Sequence, residues 1–276
     1  LLPPEFWEEE LHRIKGRALT GLGEYLTLQR QGAGRALDQG ARELVWAVHQ
    51  RYCELCREQR RLDWDDVVLR AAARLREQGE AAPRYDHVFV DEAQDLTVAS
   101  LRLAASLTRP GGSLLVAYDA AQSIYERGFR WRDCGISVHS SRSFELRRNY
   151  RNSEPVLRAA RPLLAGLGQA KEDEGLLEPE QGSRAGSAPR LLETGRGEEC
   201  AAVAAEIRGL IERRGVPPQN VAVLCFPNAV RDRMAEALAV AGVDCQKHGS
   251  DSAIRLADPS VKVLPVKSAK GLEFPV

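Results

Sequence analysis

Two adjacent carboxylates, Asp91 and Glu92, follow directly on the apolar run Val88–Val90 in the stretch YDHVFVDEAQD, residues 85–95. Val and Phe in such a run favour a β-strand, and open α/β sheets present their ligands at the carboxyl ends of strands. A carboxylate placed there can hold Mg²⁺, which takes oxygen ligands and keeps waters and substrate phosphates in its shell. A second carboxylate beside it can orient or deprotonate an attacking water. The chemistry suited to these residue types at this spacing is nucleoside-triphosphate hydrolysis, of which they would supply one half. The plainer alternative is a strand that ends in two solvated acids.

Further candidates lie downstream. A second apolar run, Leu114–Tyr118, delivers Asp119, Gln122 and Tyr125. The segment YERGFRW then interleaves Tyr125, Phe129 and Trp131 with Arg127 and Arg130. Aromatic faces beside guanidinium groups can stack bases and hold phosphates; core aromatics flanked by surface arginines are the competing account. FELRRNYR ends in Arg147, Arg148 and Arg151, and Lys270-Gly271 after a late apolar strand suggests a ligand-facing turn. Cys53 and Cys56 form a CxxC inside a helical pattern with no second pair to complete a four-ligand zinc site, so they read as helix cysteines. QGAGRA, residues 31–36, lacks the Lys-Ser/Thr ending of a phosphate loop, and no GxxxxGK[ST] occurs anywhere in the 276 residues.

The elements that must position these groups follow from periodicity. Residues 1–82 read as a helical subdomain: Phe6, Trp7, Leu11 and Ile14 recur at helical spacing, as do Leu44, Val45, Val48, Tyr52 and Leu55. Asp63 is the expected N-cap of a helix running through Leu75. Residues 83–149 alternate strand 87–90, helix 96–107 ended by Pro110 and Gly111, and strand 114–118, which is α/β logic. From Asn152 or Ser153 a helix opens with Glu154 and Pro155 in its first turn. A loose segment over 166–190 follows, then strand 190–192, helix 198–214, strand 221–225, helix 228–241 and strand 261–264.

Composition narrows the class. Hydrophobic residues make up 43% and charged residues 28%, with zero formal net charge, the range of a soluble globular protein. Any surface for a polyanion must therefore be a local patch. No apolar run reaches the length of a membrane span, no secretory signal opens the chain, and six scattered cysteines give no disulfide framework, which points to a reducing cytoplasm. Residue 1 is Leu and the single Met is Met234, so the chain reads as part of something longer.

Taken in order, these strings resemble the superfamily 1 DNA helicases of the UvrD/Rep/PcrA type. VFVDEAQD resembles motif II, the Walker B strand; VAYDAAQSIY resembles motif III, LRRNYRNSEPVL motif IV and VKSAKGLEF motif V. The resemblance covers residues 85–276, and more weakly the helical part before it, which resembles the family's helical insertion. The sequence departs from the pattern at Tyr118, where motif III carries Gly, at Ala121, where it carries an acid, and at Pro265 and Lys267, where motif V carries Thr and His. No motif VI follows motif V.

The fold the resemblance implies is α/β, with two RecA-like domains of the P-loop NTPase type. Residues 83–149 would be the later part of a first, incomplete one, and residues 150–276 the second. The cofactors would be ATP, bound between the two, and Mg²⁺. Asp91 would bind the metal and Glu92 would be the catalytic base. Gln94 and Gln122 would couple the γ-phosphate to the DNA site, and Arg151 would act as an arginine finger in cis. Glu273 would lie at the ribose, with Lys270 and Gly271 beside the nucleotide. Tyr125, Phe129, Arg130, Trp131 and Lys267 would face DNA.

The activity implied is 3′ to 5′ translocation on single-stranded DNA with duplex unwinding. The partners would be single strands and duplex junctions, in a bacterial cytoplasm at the nucleoid and with no membrane. A helicase remnant that binds DNA or protein without ATPase activity, and a nucleotide-regulated switch in a larger assembly, are the alternatives from other classes.

Overall fold

The computed structural model describes residues 2–30, 36–119, 131–138, 142–146, 148–165, 184–195, 197–226, 228–248 and 254–274. It is a mixed α/β protein with parallel sheets, in two compact units, residues 1–188 and 189–276. The expected boundary lay at 149/150; the observed one leaves Arg151 and the helix after it in the first unit.

The first unit opens with α1 (Pro4–Gly16), α2 (Leu22–Thr27), α3 (Gln39–Glu58) and α4 (Trp64–Gln78). Ile14, Tyr25, Val45 and Trp46 form their core, with Phe6, Trp7 and Leu22 packed around it. Of the apolar residues expected to line α3, Leu44 and Leu55 are exposed instead, and Trp46 takes the inward position. Two polar networks fix the helices. Glu10, buried in α1, receives Arg30 at 2.5 Å, Arg13 at 3.2 Å and the Tyr25 hydroxyl. Burial by itself would raise the Glu10 pKa, but the hydrogen bonds from Arg30 and Tyr25 and the arginine charges outweigh it and hold the carboxyl below its ordinary value. Lys15, also buried, reaches Asp63 at 2.5 Å and Asp66 at 2.6 Å, and the Tyr52 hydroxyl donates to Asp63 at 2.9 Å. Asp63 is the N-cap of α4, as the sequence predicts, in a reciprocal capping box with Asp66. One cation thus ties α1 and α3 to the start of α4.

The helices brace the small sheet behind the carboxylates. β1 (Tyr85–Val90) and β2 (Thr108–Val116) run parallel, joined by α5 (Val98–Ser106). Val90, Val98, Leu101 and Cys134 make a buried core with Val88, Leu114 and Val116 against it. The opposite face holds Phe89 and Leu115, register partners that are 73% and 52% exposed. The expected helix 96–107 is shorter than predicted, and Pro110 and Gly111 do not end it; they lie inside β2. The register jumps there, from Tyr85–Thr108 to His87–Ser113, and Gly111, at φ +81, turns the extra residues. A Cβ on Gly112 would come within 2.6 Å of the Asp86 carbonyl oxygen, so the bulge needs glycine twice. α6 (Glu154–Ala165) begins where the Glu-Pro start signal predicts.

The second unit packs α7 (Glu199–Arg214) and α8 (Asn228–Val240) on a parallel sheet ordered β3 (Ala222–Cys225), β5 (Val261–Pro265), β4 (Cys245–Lys247). Ile207, Met234, Leu238, Val261 and Val263 are buried in its core. The strand expected over 190–192 is not formed, and Leu191 there is exposed. β4, three residues long, is too short to leave a periodic signal. Lys262, pointing away from Val261 and Val263 in β5, is buried and donates to the carbonyls of Asp258 and Ser260 at 2.8 and 2.9 Å. Burial depresses its pKa. Among the described residues no helix is long and apolar enough to cross a membrane.

Candidate active site

The site is built where β1 and β2 end side by side. The strand pairing runs on past the last strand residues: Ala117 N donates to the Val90 carbonyl at 2.8 Å, and Ala93 N to the Ala117 carbonyl at 3.0 Å. Ala93 is fully buried, so the chain must bend between Val90 and Ala93, and the two residues in the bend, Asp91 and Glu92, are turned out to solvent. Glu92 takes a left-handed backbone, φ +50 and ψ +40. That conformation is uncommon for a residue with a Cβ, and residues held in it cluster at active sites. Its amide donates to Asp91 Oδ1 at 2.9 Å, which fixes one oxygen of this exposed carboxylate.

Gln94 locks the second carboxylate. Its side chain is only 6% exposed. Nε2 donates to the Glu92 carboxylate, and Oε1 accepts from the Asp119 backbone N–H at 2.9 Å. The carboxamide therefore spans from the second residue after β1 to the third after β2. This makes Gln94 a support for Glu92, a role that spacing alone does not reveal. Neither Asp91 nor Glu92 forms an ion pair with a described residue, so both charges stay available to a cationic ligand.

These residues fit a Mg²⁺ ion of the kind that keeps its waters and shares a substrate phosphate, because such an ion takes only one or two carboxylates from the protein and Asp91 and Glu92 are both exposed. They do not fit an all-protein metal cage: among the described residues no three His, Cys, Asp or Glu side chains converge. Thiol chemistry is disfavoured too. All six cysteines are free, and burial pushes the Cys134 thiol up to about 11 and those of Cys53, Cys225 and Cys245 above their ordinary value.

The other predicted site residues divide into three groups. Gln122, Tyr125, Phe129 and Arg130 lie outside the described residues. Trp131 lies in the first unit, half-buried against the Val90–Leu101–Cys134 core, with its ring 4.9 Å from that of Tyr118 in an edge contact of 66°. Arg151 is exposed, in a turn shaped by Asn149, whose Oδ1 accepts from the amides of Arg151 and Asn152 at 3.0 and 2.8 Å. Arg184 Nη1 donates to the Arg151 carbonyl at 3.3 Å, and a parallel bridge joins Ser153 to Arg184. In the second unit, Lys267 belongs to a 3-10 turn at the end of β5, Val266–Ala269. Lys270 and Gly271, at φ +77, follow the turn directly, with Glu273 exposed beyond them.

The model of the UvrD/REP helicase N-terminal domain matches residues 24–144. This span takes in α3 and α4 as well as β1, α5 and β2, so the helical part belongs to the resemblance more firmly than its sequence suggests. The chain is 26% identical over 216 residues to the ATP-dependent DNA helicase PcrA of Bacillus subtilis, covering 73% of this chain and 28% of that protein. It is 29% identical over 109 residues to the ATP-dependent DNA helicase srs2 of Schizosaccharomyces pombe, covering 37% of this chain and 12% of that protein. The chain thus spans under a third of the length of either relative. Four motif-like strings in the family's order, a carboxylate pair at the end of a parallel strand and these matches agree: the chain is similar to the UvrD/PcrA-type superfamily 1 helicases.

Proposed function

We propose that this chain carries the hydrolytic carboxylates of an ATP-driven motor that moves 3′ to 5′ along single-stranded DNA and separates duplexes, within two RecA-like domains. The observation that carries the reading is the outward Asp91–Glu92 pair, held by the Gln94 clasp between two parallel strand ends. A bound Mg²⁺, held through Asp91, would offset the charge of the β- and γ-phosphates. Glu92 orients a water toward the γ-phosphorus and takes its proton as the new P–O bond forms and the bond to ADP breaks. Gln94 keeps that carboxylate from swinging away. Gln122 senses the γ-phosphate, and Arg151 offsets the charge that builds on it. Lys270, Gly271 and Glu273 border the nucleotide, while Tyr125, Phe129, Arg130, Trp131 and Lys267 follow the DNA strand. A cytoplasmic, nucleoid-associated setting goes with this reading.

Strand displacement tests it. The full-length protein should release a labelled strand from a duplex with a 3′ single-stranded tail in the presence of ATP and Mg²⁺, and not from one with only a 5′ tail. Equal activity on both tails would remove the assigned direction. Activity on neither, with no DNA-stimulated ATP turnover, would favour a module that binds without hydrolysis.

A further inference from the structure

Tyr118 stands where the family's third motif carries glycine, and the structure gives that ring a place. β2 ends at Val116, and the next residues form the wall of the candidate active site. Asp119 gives its backbone N–H to Gln94, and Gln94 gives its carboxamide N–H to Glu92. Tyr118, immediately before Asp119, packs against Trp131 in an edge-type contact with the ring centroids 4.9 Å apart. Trp131 in turn rests on the core that contains Val90, the last residue of β1 before the carboxylates. From Trp131 to Glu92 the contacts are continuous: ring on ring, one peptide unit, one carboxamide, one carboxylate.

A glycine at 118 would leave the strand exit with no side chain to hold it and with wide backbone freedom. A tyrosine, pinned by an aromatic contact, restrains the direction of the following N–H. That N–H is the anchor of Gln94, so a shift at residue 118 is felt at the Glu92 carboxylate. Tyr118 remains 44% exposed, so its ring is not simply core filling, and it makes an edge-type contact with the Trp131 ring.

We propose that Tyr118 is a positioning residue for the hydrolytic step, setting the Glu92 carboxylate through Asp119 and Gln94 by its edge contact with Trp131. The proposal rests on the reading of Glu92 as the general base. It predicts that the ring matters and the hydroxyl does not. Small misplacements of a reacting group cost rate more than binding, so the effect should fall on turnover and spare affinity for ATP.

The test uses the full-length protein at saturating single-stranded DNA, with steady-state ATP turnover measured for wild type, Tyr118→Leu, Tyr118→Phe and Glu92→Gln. Tyr118→Leu keeps an apolar strand-compatible side chain but loses the ring, and should lower kcat about tenfold with KM for ATP within about twofold. Tyr118→Phe should restore kcat to near the wild-type value. Combining Tyr118→Leu with Gln94→Ala should cost no more than Gln94→Ala alone, since both act through one clasp. A Leu variant as fast as wild type, or a Phe variant as slow as the Leu variant, would overturn the proposal while leaving Glu92 as base. Turnover that survives Glu92→Gln would overturn both.

Discussion

At the scale of single residues, the account turns on which side chains face solvent at the ends of β1 and β2 and which are tied down behind them. Asp91 and Glu92 face out, and Gln94 is inside. Replacing Gln94 by Ala should therefore lower ATP turnover in the full-length protein by about tenfold or more, through loss of orientation at Glu92, with little change in ATP binding. A variant that loses ATP affinity and keeps kcat would show that Gln94 touches the nucleotide instead. Arg151→Ala should cost about 10³–10⁵-fold in turnover if its guanidinium stabilises the transferring phosphoryl group; near-normal turnover would shift that role to a neighbour such as Arg148. Trp131→Ala should weaken single-strand binding by about 1–3 kcal/mol if its ring stacks a base. Because the ring also rests on the Val90–Cys134 core, the same change should lower the melting temperature. A fall in melting temperature with unchanged oligonucleotide affinity would make Trp131 a core residue only.

At the scale of elements, two buried charges, Glu10 and Lys15, tie the helical part together around its apolar core. Lys15→Met would leave the Asp63 and Asp66 carboxylates without their cation at the α4 N-terminus. The expected loss is about 2 kcal/mol, below the ~3–5 kcal/mol of a fully buried pair, because both carboxylates keep some contact with water. Urea unfolding of the variant against wild type measures it.

Glu10 supplies a pH signature. Its folded carboxyl titrates below the ordinary 4.5, so its contribution is fully present above that value and is lost as pH falls through the folded one. The stability difference between wild type and Glu10→Gln should be constant near neutrality and shrink below pH 4.5. A difference that stays flat into acid would mean that the Arg30 and Tyr25 contacts do not act on its ionised form.

The same elements show why part of the fold was legible in sequence and part was not. Asp63 was readable as a cap because its chemistry is local, with its partner three residues away. β1 and its carboxylates were readable because an apolar run followed by acids has a local signature. The start of β2 was not, since Pro110-Gly111-Gly112 reads as a stop, and only pairing with β1 turns that string into a bulge. The inward position of Trp46 and the outward one of Leu44 depend on which face of α3 meets α1 and α2. The Gln94 clasp was invisible for the same reason: its second partner, the Asp119 amide, is 25 residues away.

At the scale of the molecule, each sheet is small, and the sheet of the first unit has one bare face carrying Phe89 and Leu115. Parallel sheets are normally covered on both faces. The chain also contains no GxxxxGK[ST] loop, the element whose backbone amides and lysine cradle the phosphates in this class. Asp91 and Glu92 alone would repel a polyphosphate. The 276-residue chain on its own is therefore expected to show no DNA-stimulated phosphate release and at most weak ATP binding. DNA-dependent turnover by the isolated chain, abolished by Glu92→Gln, would require a phosphate cradle of a different kind within these residues.

The central claim is that Glu92 is the base of an ATP-hydrolysing site. Its most direct test is steady-state ATP turnover of the full-length protein at saturating single-stranded DNA, comparing wild type with Glu92→Gln. The substitution keeps the size of the side chain and an oxygen that can still accept from Gln94, while removing the group that takes the proton. Turnover should fall by about 10²–10⁴-fold, the usual worth of a general base, with ATP affinity largely kept. Turnover within a few fold of wild type would contradict the account and leave the carboxylate pair as the solvated end of a strand.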